Sequence, residues 1–257
     1  MAIIEEVLDL QVPEGTMATC TYRPDDNEQH PAVIVIQEIF GVNTHIKDVA
    51  RRIAEQGYVT AAPDLFHRTG RLNTIPYDQM QDAAKLREGM TDDGIVADLD
   101  ALVRHLQQDA TVLGDRIGIT GYCMGGRVSF LAACRVNDIN AAAVYYGGGI
   151  VPRDDAPQTP NPAPIDLAAQ INCPLIGFFG GQDQGIPIEH VQRIEDTLNR
   201  LKKDGEIHIY PEAGHGFFNN ERPNYNEGAA RDAWAQTIGF FDWYLRGANK
   251  GAHVRAI

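Results

Sequence analysis

The sequence predicts an α/β fold, in which a mostly parallel central sheet carries helices on both faces. Short β-branched runs such as residues 32–37 have the composition of buried strands. The stretches between them, such as residues 45–56, place apolar side chains at helical spacing. Strands that alternate with helices form parallel sheets, because each helix returns the chain to the same end of the sheet. At 257 residues the chain can bury a large core, and we expect one domain over residues 1–257.

The predicted elements follow one another in a regular order. Residues 3–23 alternate like two antiparallel edge strands and end in a turn at residues 24–27. The later strands are predicted at residues 32–37, 59–62, 116–121, 142–146, 174–180 and 206–210. The helices are predicted at residues 45–56, 93–108, 125–134, 188–203 and 227–245, with a shorter one around 78–88. Five prolines within residues 150–166 exclude a regular helix there and predict a semi-rigid loop.

A glycine-rich hexapeptide, Gly121-Tyr122-Cys123-Met124-Gly125-Gly126, stands between a predicted strand and a predicted helix. In α/β-hydrolases the nucleophile occupies a strained turn of this kind above the sheet edge, and its neighbours must be small. The backbone N–H of the next residue, Met124, then points at the oxygen that becomes negative in acyl transfer. The hexapeptide therefore predicts an α/β-hydrolase fold with Cys123 as the nucleophile.

An acid and a base follow in the chain order that α/β-hydrolases use. Asp183 comes after the apolar strand 174–180, and His215 comes after the alternating strand 206–210, between two glycines. Because the carboxyl ends of parallel strands meet at one edge, Cys123, Asp183 and His215 should converge there. His215 would take the thiol proton, and Asp183 would orient the imidazole. Taken singly, Asp183 is also typical of a turn, and His215 of an ordinary loop.

Several segments of the chain, in this order, resemble the dienelactone hydrolase family of α/β-hydrolases. Besides the hexapeptide they are Gln37-Glu38-Ile39-Phe40-Gly41, Ala62-Pro63-Asp64-Leu65-Phe66, Tyr145-Tyr146-Gly147, Gly180-Gly181-Gln182-Asp183 and Ala213-Gly214-His215-Gly216-Phe217. The resemblance extends from about residue 32 to residue 245. It implies a carboxylic ester hydrolase, similar to carboxymethylenebutenolidases, that forms an acyl-enzyme on its cysteine.

The same resemblance implies roles for three more groups. In relatives, the glutamate at the position of Glu38 contacts the resting thiol and helps to convert it to thiolate when substrate arrives. The backbone N–H of Ile39 joins that of Met124 in an oxyanion hole. A free thiol has a pKa of about 8.5 and is mostly protonated at neutral pH, so activation is needed. Considered alone, Glu38 is also typical of a strand-end carboxylate paired with an arginine.

The carboxylate-binding residues of these relatives are not matched here. Relatives that open chloroaromatic dienelactones use two arginines, and this chain has Asn219 and Met80 at the corresponding positions. Arg87, Arg68 or Arg71 could substitute, although each is equally typical of a solvated surface. We therefore expect neutral esters or lactones to be better substrates than negatively charged lactones of similar size.

These observations predict a cysteine hydrolase of small esters or lactones, whose candidate substrate contacts are Tyr145, Phe217, Asn219 and Arg87. The two aromatic residues are equally typical of the core. Two alternatives remain open: a short-chain carboxylesterase that does not act on dienelactone, and a non-catalytic ligand-binding relative. Cleavage of amides or thioesters by the same groups is a further alternative.

The composition of the chain indicates which classes of binding partner are disfavoured. A net charge of −13 disfavours nucleic acid, whose phosphates would be repelled. The apolar runs are shorter than the roughly 20 residues that span a bilayer, and the N-terminus does not resemble a signal peptide. Four cysteines without paired spacing fit a reducing compartment. We expect a cytoplasmic monomer or homodimer that acts on a small molecule, without a metal or other cofactor.

Overall fold

A computed structural model describes residues 1–87, 89–153 and 161–247. The strands are β1 (Ile3–Val12), β2 (Gly15–Pro24), β3 (His30–Ile36), β4 (Val59–Pro63), β5 (Val112–Tyr122), β6 (Ala141–Tyr145), β7 (Leu175–Gly180) and β8 (Gly205–Tyr210). The helices are α1 (Thr44–Glu55), α2 (Met80–Arg87), α3 (Asp92–Gln108), α4 (Met124–Arg135), α5 (Ile188–Arg200) and α6 (Glu227–Leu245), with a 3-10 helix at Pro164–Gln170.

The described strands form one sheet in the order β1-β2-β4-β3-β5-β6-β7-β8. The hairpin of β1 and β2 is antiparallel, and β2 joins β4 antiparallel, whereas every pairing from β4 to β8 is parallel. Helices pack on both faces, with α1 on the β2–β4–β3 part and α3, α4 and α6 on β5. The predicted α/β-hydrolase fold is confirmed.

Two local features differ from the prediction. β5 begins at Val112, four residues before the predicted start, because a register shift between its pairings with His30 and Ala32 absorbs the turn-like residues. The 3-10 helix begins inside the proline-rich segment. Pro164 fits its first position, where no backbone donor is needed. Residues 154–160 of that segment, residue 88 of the predicted short helix and residues 248–257 of the expected domain lie outside the described residues.

The central strand β3 is covered on both faces of the sheet. In β3, residues 32–36 have no exposed surface, as expected of a parallel strand covered on both sides. Its chain then leads through a short loop to α1, where the side chain of Asn43 caps the helix by accepting a hydrogen bond from the N–H of Ile46 (3.2 Å). In the described ranges no helix is both long and apolar enough to cross a membrane.

Candidate active site

Cys123 occupies a strained turn between β5 and α4. Its φ of 55° lies in the left-handed region, which side-chain-bearing residues rarely adopt. A Cβ on Gly121 would come within 2.2 Å of the carbonyl oxygen of Gly125, and one on Gly126 within 2.2 Å of that of Tyr145. The N–H of Cys123 donates to the same Tyr145 carbonyl (3.1 Å). The glycines are therefore needed for the turn that lifts the thiol above the sheet.

Three side chains from separate strand ends meet at this edge. Nε2 of His215 lies 3.1 Å from Sγ of Cys123, and Nδ1 of His215 lies 2.7 Å from Oδ2 of Asp183. The Asp183 carboxylate is fully buried, and its Oδ1 accepts hydrogen bonds from the N–H groups of Gly185 (2.8 Å) and Ile186 (3.1 Å). With both oxygens engaged, the carboxylate has one orientation, and it orients the imidazole toward the sulfur.

The environment of His215 favours its charged form. Burial lowers the pKa of His215, but the hydrogen bonds to Asp183 and Cys123 outweigh burial and raise this pKa to about 10. The surroundings of the imidazole therefore favour the imidazolium form while it faces the sulfur. An imidazolium in this position stabilises a neighbouring thiolate, the form of cysteine that reacts as a nucleophile.

Glu38 lies just after β3 and is fully buried. Its Oε2 accepts a hydrogen bond from Nδ2 of Asn219 (2.9 Å), and its Oε1 has no hydrogen-bond partner among the described residues. Burial raises the pKa of the Glu38 carboxyl, while Arg222 and Asn219 act in the opposite direction. The resemblance implied contact between Glu38 and the resting thiol. In the structure the sulfur is instead hydrogen-bonded to His215.

Asn219 does not offer its side chain to a substrate. It is fully buried, and Nδ2 donates both to Glu38 and to Oη of Tyr77 (3.0 Å). Its Oδ1 accepts the N–H of Glu221 (3.0 Å). The expectation that Asn219 contacts substrate is therefore corrected, because its polar atoms are occupied by protein groups.

The two predicted aromatic contacts are also corrected. Tyr145 and Phe217 have no exposed surface. The hydroxyl of Tyr145 is hydrogen-bonded to Thr237 (2.6 Å) and donates to the carbonyl of Ala233 (3.0 Å), both in α6. The residue that faces the site is Tyr146, whose ring centre lies 5.2 Å from that of His215. Tyr146 is as buried as Tyr145, and its ring contact with His215 is what places it at the site.

Tyr146 has two further features of a site residue. Its φ is 34°, a strained value for a residue with a side chain. Its buried hydroxyl has no hydrogen-bond partner among the described residues. Only the motif Tyr145-Tyr146-Gly147 pointed to it in the sequence.

The arginines divide into bound and available ones. Arg68 forms two hydrogen bonds with the buried Asp98 (2.7 and 3.1 Å), which occupy its guanidinium, whereas Arg71 forms an exposed ion pair with Asp9. Arg87 is exposed and borders a small cavity of about 70 Å³ that Met124 also lines. Its predicted substrate contact thus remains a proposal.

Sequence reasoning missed one arginine at the site. The guanidinium carbon of Arg222 lies 5.4 Å from the ring centre of Phe40 and 5.6 Å from that of Tyr77. Phe40 follows Ile39, whose N–H is one of the two predicted oxyanion donors. No periodicity or motif marks an arginine in a loop, so this position carried no signal in the sequence.

The two oxyanion donors expected from the resemblance remain a prediction. Met124 is the first residue of α4, where backbone N–H groups have no partner within the helix. Ile39 directly follows Glu38, three residues after the end of β3 at Ile36. The described part of the chain contains no group of three or more histidine, cysteine, aspartate or glutamate side chains placed to hold a metal ion.

A cleft of about 630 Å³ opens beside His215. Its lining is rich in amides and carboxylates, and none of the described residues that line it is a lysine or arginine. Nε2 of Gln182 donates to Glu212 (3.0 Å), and Nδ2 of Asn224 donates to the carbonyl of His215 (3.2 Å). The cleft is a polar space next to the imidazole that faces Cys123.

A parallel sheet with a strained cysteine turn after its central strand defines an α/β-hydrolase. The sequence profile of the dienelactone hydrolase family matches residues 17–245. The chain belongs to the dienelactone hydrolase family, and it is a hydrolase of carboxylic ester or lactone bonds. The family and the enzyme class expected from the sequence are confirmed.

Individual relatives agree with this assignment. A Methylorubrum extorquens protein named "Putative carboxymethylenebutenolidase" is 34% identical over 94% of this chain and 82% of its own length. A Bradyrhizobium protein named "Probable 2-oxo-3-(5-oxofuran-2-ylidene)propanoate lactonase" is 33% identical over 88% of each chain. A crystal structure from Klebsiella pneumoniae, titled as a "Putative Dienelactone Hydrolase", superposes with a TM-score of 0.85 at 32% identity, over 95% of this chain and 100% of the other.

Proposed function

We propose that the protein hydrolyses small esters or lactones with Cys123 as nucleophile, His215 as general acid and base, and Asp183 as the group that orients the histidine. The observation that carries this proposal is the continuous hydrogen-bonded path from the buried Asp183 carboxylate through His215 (2.7 Å) to the sulfur of Cys123 (3.1 Å).

Acylation begins with attack of the Cys123 thiolate on the carbonyl carbon. The carbonyl oxygen becomes negative, and the N–H groups of Met124 and Ile39 stabilise it. When the tetrahedral intermediate collapses, the carbon–oxygen bond to the leaving group breaks and Nε2 of His215 gives its proton to the leaving oxygen. In a lactone the leaving oxygen stays attached to the acyl chain.

Deacylation uses the same histidine in the opposite direction. Once the sulfur is part of a thioester, it carries no negative charge, and one of the interactions that raise the pKa of His215 is lost. The neutral imidazole then takes a proton from water, and the resulting hydroxide attacks the thioester. The acid is released and the proton returns to the cysteine–histidine pair.

The substrate class follows from the relatives and the surroundings of the site. Relatives named as carboxymethylenebutenolidase and lactonase favour small lactones. Arg222 and Arg87 are two cations near the site, and Arg127, which lines the same small cavity as Arg87, is paired with Asp92 (2.7 and 2.8 Å). The alternative of a short-chain carboxylesterase that does not act on dienelactone is supported by the buried, fully engaged Asn219. The complete path from Asp183 to Cys123 disfavours a non-catalytic relative.

We further propose the cellular setting expected from the sequence. All four cysteines are free, which suits the reducing cytoplasm. The described strands form one continuous sheet, which favours residues 1–257 acting as one domain. The expectation of a monomer or homodimer stays a proposal.

The test is hydrolysis of p-nitrophenyl butyrate and of dienelactone by the wild type, Cys123→Ala and the matched control Cys173→Ala, whose sulfur is buried in the core. Loss of the nucleophile should lower kcat at least about a thousandfold, whereas the control keeps wild-type rates. Mass spectrometry of quenched reactions should find the acyl group on Cys123. Equal rates for Cys123→Ala and the wild type would disprove the assignment.

A further inference from the structure

We propose that Asn219 and Tyr77 are positioning residues that hold Oε2 of Glu38 and leave Oε1 as the oxygen that exchanges protons in the site. The inference rests on the proposed function and on the role that the resemblance implies for Glu38, which is to assist the Cys123 thiol. Asn219 and Tyr77 lie in two loops other than the one that carries Glu38. Neither residue belongs to the hydrogen-bonded path from Asp183 to Cys123.

The direction of every hydrogen bond in this network follows from chemistry. An amide nitrogen has two hydrogens and cannot accept, so Nδ2 of Asn219 donates both to Oε2 of Glu38 (2.9 Å) and to Oη of Tyr77 (3.0 Å). Nδ2 of Asn43 also donates to Oη of Tyr77 (3.0 Å). The hydroxyl hydrogen of Tyr77 is therefore directed to its remaining partner, Oε2 of Glu221 (3.0 Å).

This pattern decides where a proton on Glu38 can reside. Oε2 accepts an N–H of Asn219, and the carbonyl-type oxygen of a protonated carboxyl is a better acceptor than its O–H oxygen. A proton on Glu38 is therefore favoured on Oε1, which is buried and has no hydrogen-bond partner among the described residues. A half-turn of the protonated carboxyl would present the O–H oxygen to Asn219 and weaken that hydrogen bond, so the proton stays on the oxygen that faces away from Asn219.

The protonated state is accessible because of the surroundings. Burial raises the pKa of Glu38, and Arg222 and Asn219 limit that rise. The titratable and charged groups that interact with Glu38 come from several elements, namely Arg222, His215, Glu221, Tyr77, Tyr122 and Tyr146. Asn219 differs from all of these because it is neutral and touches the carboxylate directly, so it can set the orientation of the group at every pH.

Tyr77 holds Asn219 from the segment before α2 by accepting a hydrogen bond from its Nδ2 (3.0 Å). It precedes α2, and its ring packs edge-on against Phe40 at a centroid distance of 4.8 Å. Phe40 lies two residues after Glu38, so the loop after β3 and the segment before α2 hold each other in place. The network thus couples the loops after β3 and β8 through an uncharged chain of donors.

The experiment measures the pH dependence of Cys123 alkylation by iodoacetamide and of kcat/KM for p-nitrophenyl butyrate. Asn219→Leu removes the donor to Glu38, so kcat/KM should fall about tenfold to hundredfold. The pH profile should contain an inflection that comes from Glu38 and is absent in Glu38→Gln. In Asn219→Leu this inflection should move to higher pH, because the carboxyl loses a hydrogen bond that favours its charged form. Tyr77→Phe keeps the ring and should produce the same shift with a loss of roughly twofold to fivefold.

A double-mutant cycle separates positioning from general support. In the Glu38→Gln background, Asn219→Leu should change the alkylation rate less than about twofold, because a glutamine amide has no acidic proton whose position Asn219 could set. An equal loss in both backgrounds would overturn the proposal, as would an unchanged pH profile in Tyr77→Phe. Asn199→Leu, the same change at an exposed residue of α5, is the control and should match the wild type.

Two features of the experiment keep the proposal testable. Alkylation measures the reactivity of the thiol even in variants without turnover. If Asn219→Leu does not fold, the milder change Tyr77→Phe tests the same hydrogen-bond network. Activity that persists in Cys123→Ala would refute the proposed function itself, whereas a Cys123-dependent enzyme with an Asn219 effect independent of Glu38 would refute the positioning role alone.

Discussion

Two mostly buried imidazoles in this molecule have opposite acid–base properties. His45, in the first turn of α1, lies 6.1 Å from the ring centres of both Tyr122 and Phe218, and neither of its nitrogens makes a well-formed hydrogen bond within the described residues. Burial, reinforced by Arg52, lowers the pKa of His45 to about 4. His215, in the loop after β8, is also desolvated, yet its pKa rises to about 10.

The difference shows what makes a histidine suitable for catalysis. Burial alone removes the charge, and at His45 the positive end of the helix dipole adds to this effect. At His215 a fully buried carboxylate on one nitrogen and a sulfur on the other restore the charge. Acid–base function at this site is therefore determined by the partners of the imidazole rather than by its burial.

Removing the carboxylate partner of His215 should reduce the pKa difference between His215 and His45 more than any other change. In Asp183→Asn, burial acts on His215 with less opposition, so its pKa should fall from about 10 toward or below the ordinary value near 6.5. We expect kcat to drop by about 10³–10⁴. NMR titration of the His215 ring and ester kinetics measure the two effects, with Asp196→Asn on the exposed face of α5 as control. A His215 pKa that stays near 10 would contradict this account.

The second prediction concerns the uncharged histidine. The unfolded chain binds a proton at His45 below pH 6.5, but the folded protein does so only below about 4, so acid favours the unfolded state. Wild type should lose about 3 kcal/mol of unfolding free energy through this residue as the pH falls from 7.5 to 4. His45→Leu should remove that loss and change stability little at pH 7.5.

Urea denaturation of both proteins at several pH values gives the comparison, in which the common titration of other groups cancels. Parallel pH profiles for the wild type and His45→Leu would show that His45 already has a partner for its proton in the folded state.

The smallest expected effect belongs to Arg222, whose charge contributes to lowering the pKa of both His45 and Glu38. Arg222→Gln should raise the pKa of His45 slightly. If its guanidinium also meets substrate, kcat/KM for a carboxylate-bearing ester should fall about tenfold relative to a neutral ester of the same size. Matched ester pairs measure this ratio. A ratio equal to that of the wild type would restrict Arg222 to a role in the protein's own electrostatics.

Much of this architecture was predictable from local patterns. Alternating strands and helices predicted the fold, and the glycines around Cys123 predicted the strained turn because only glycine fits beside it. Asp183 and His215 were found through chain order and strand ends, and the structure brings both to the sulfur. The start of β5 was missed because an irregular pairing accommodates residues that resemble a turn.

The remaining site residues depend on contacts between loops, which leave no periodic trace. Tyr77 reaches Asn219 across 142 positions of sequence, and Glu38 reaches Asn219 across 181. Neither a hydrophobic period nor a turn signal specifies such a pairing. Glu38 was found through family resemblance, whereas the position of Arg222 became visible only in three dimensions.

The distance along the chain between the thiol and its base has a consequence for biosynthesis. The ribosome makes Cys123 92 residues before His215, which at about 5–20 residues per second is an interval of about 5–20 s. During that time β8 is absent, and the sulfur has no imidazolium beside it. The nascent chain therefore presents an ordinary thiol, and the reactive nucleophile appears only when the final strand has docked.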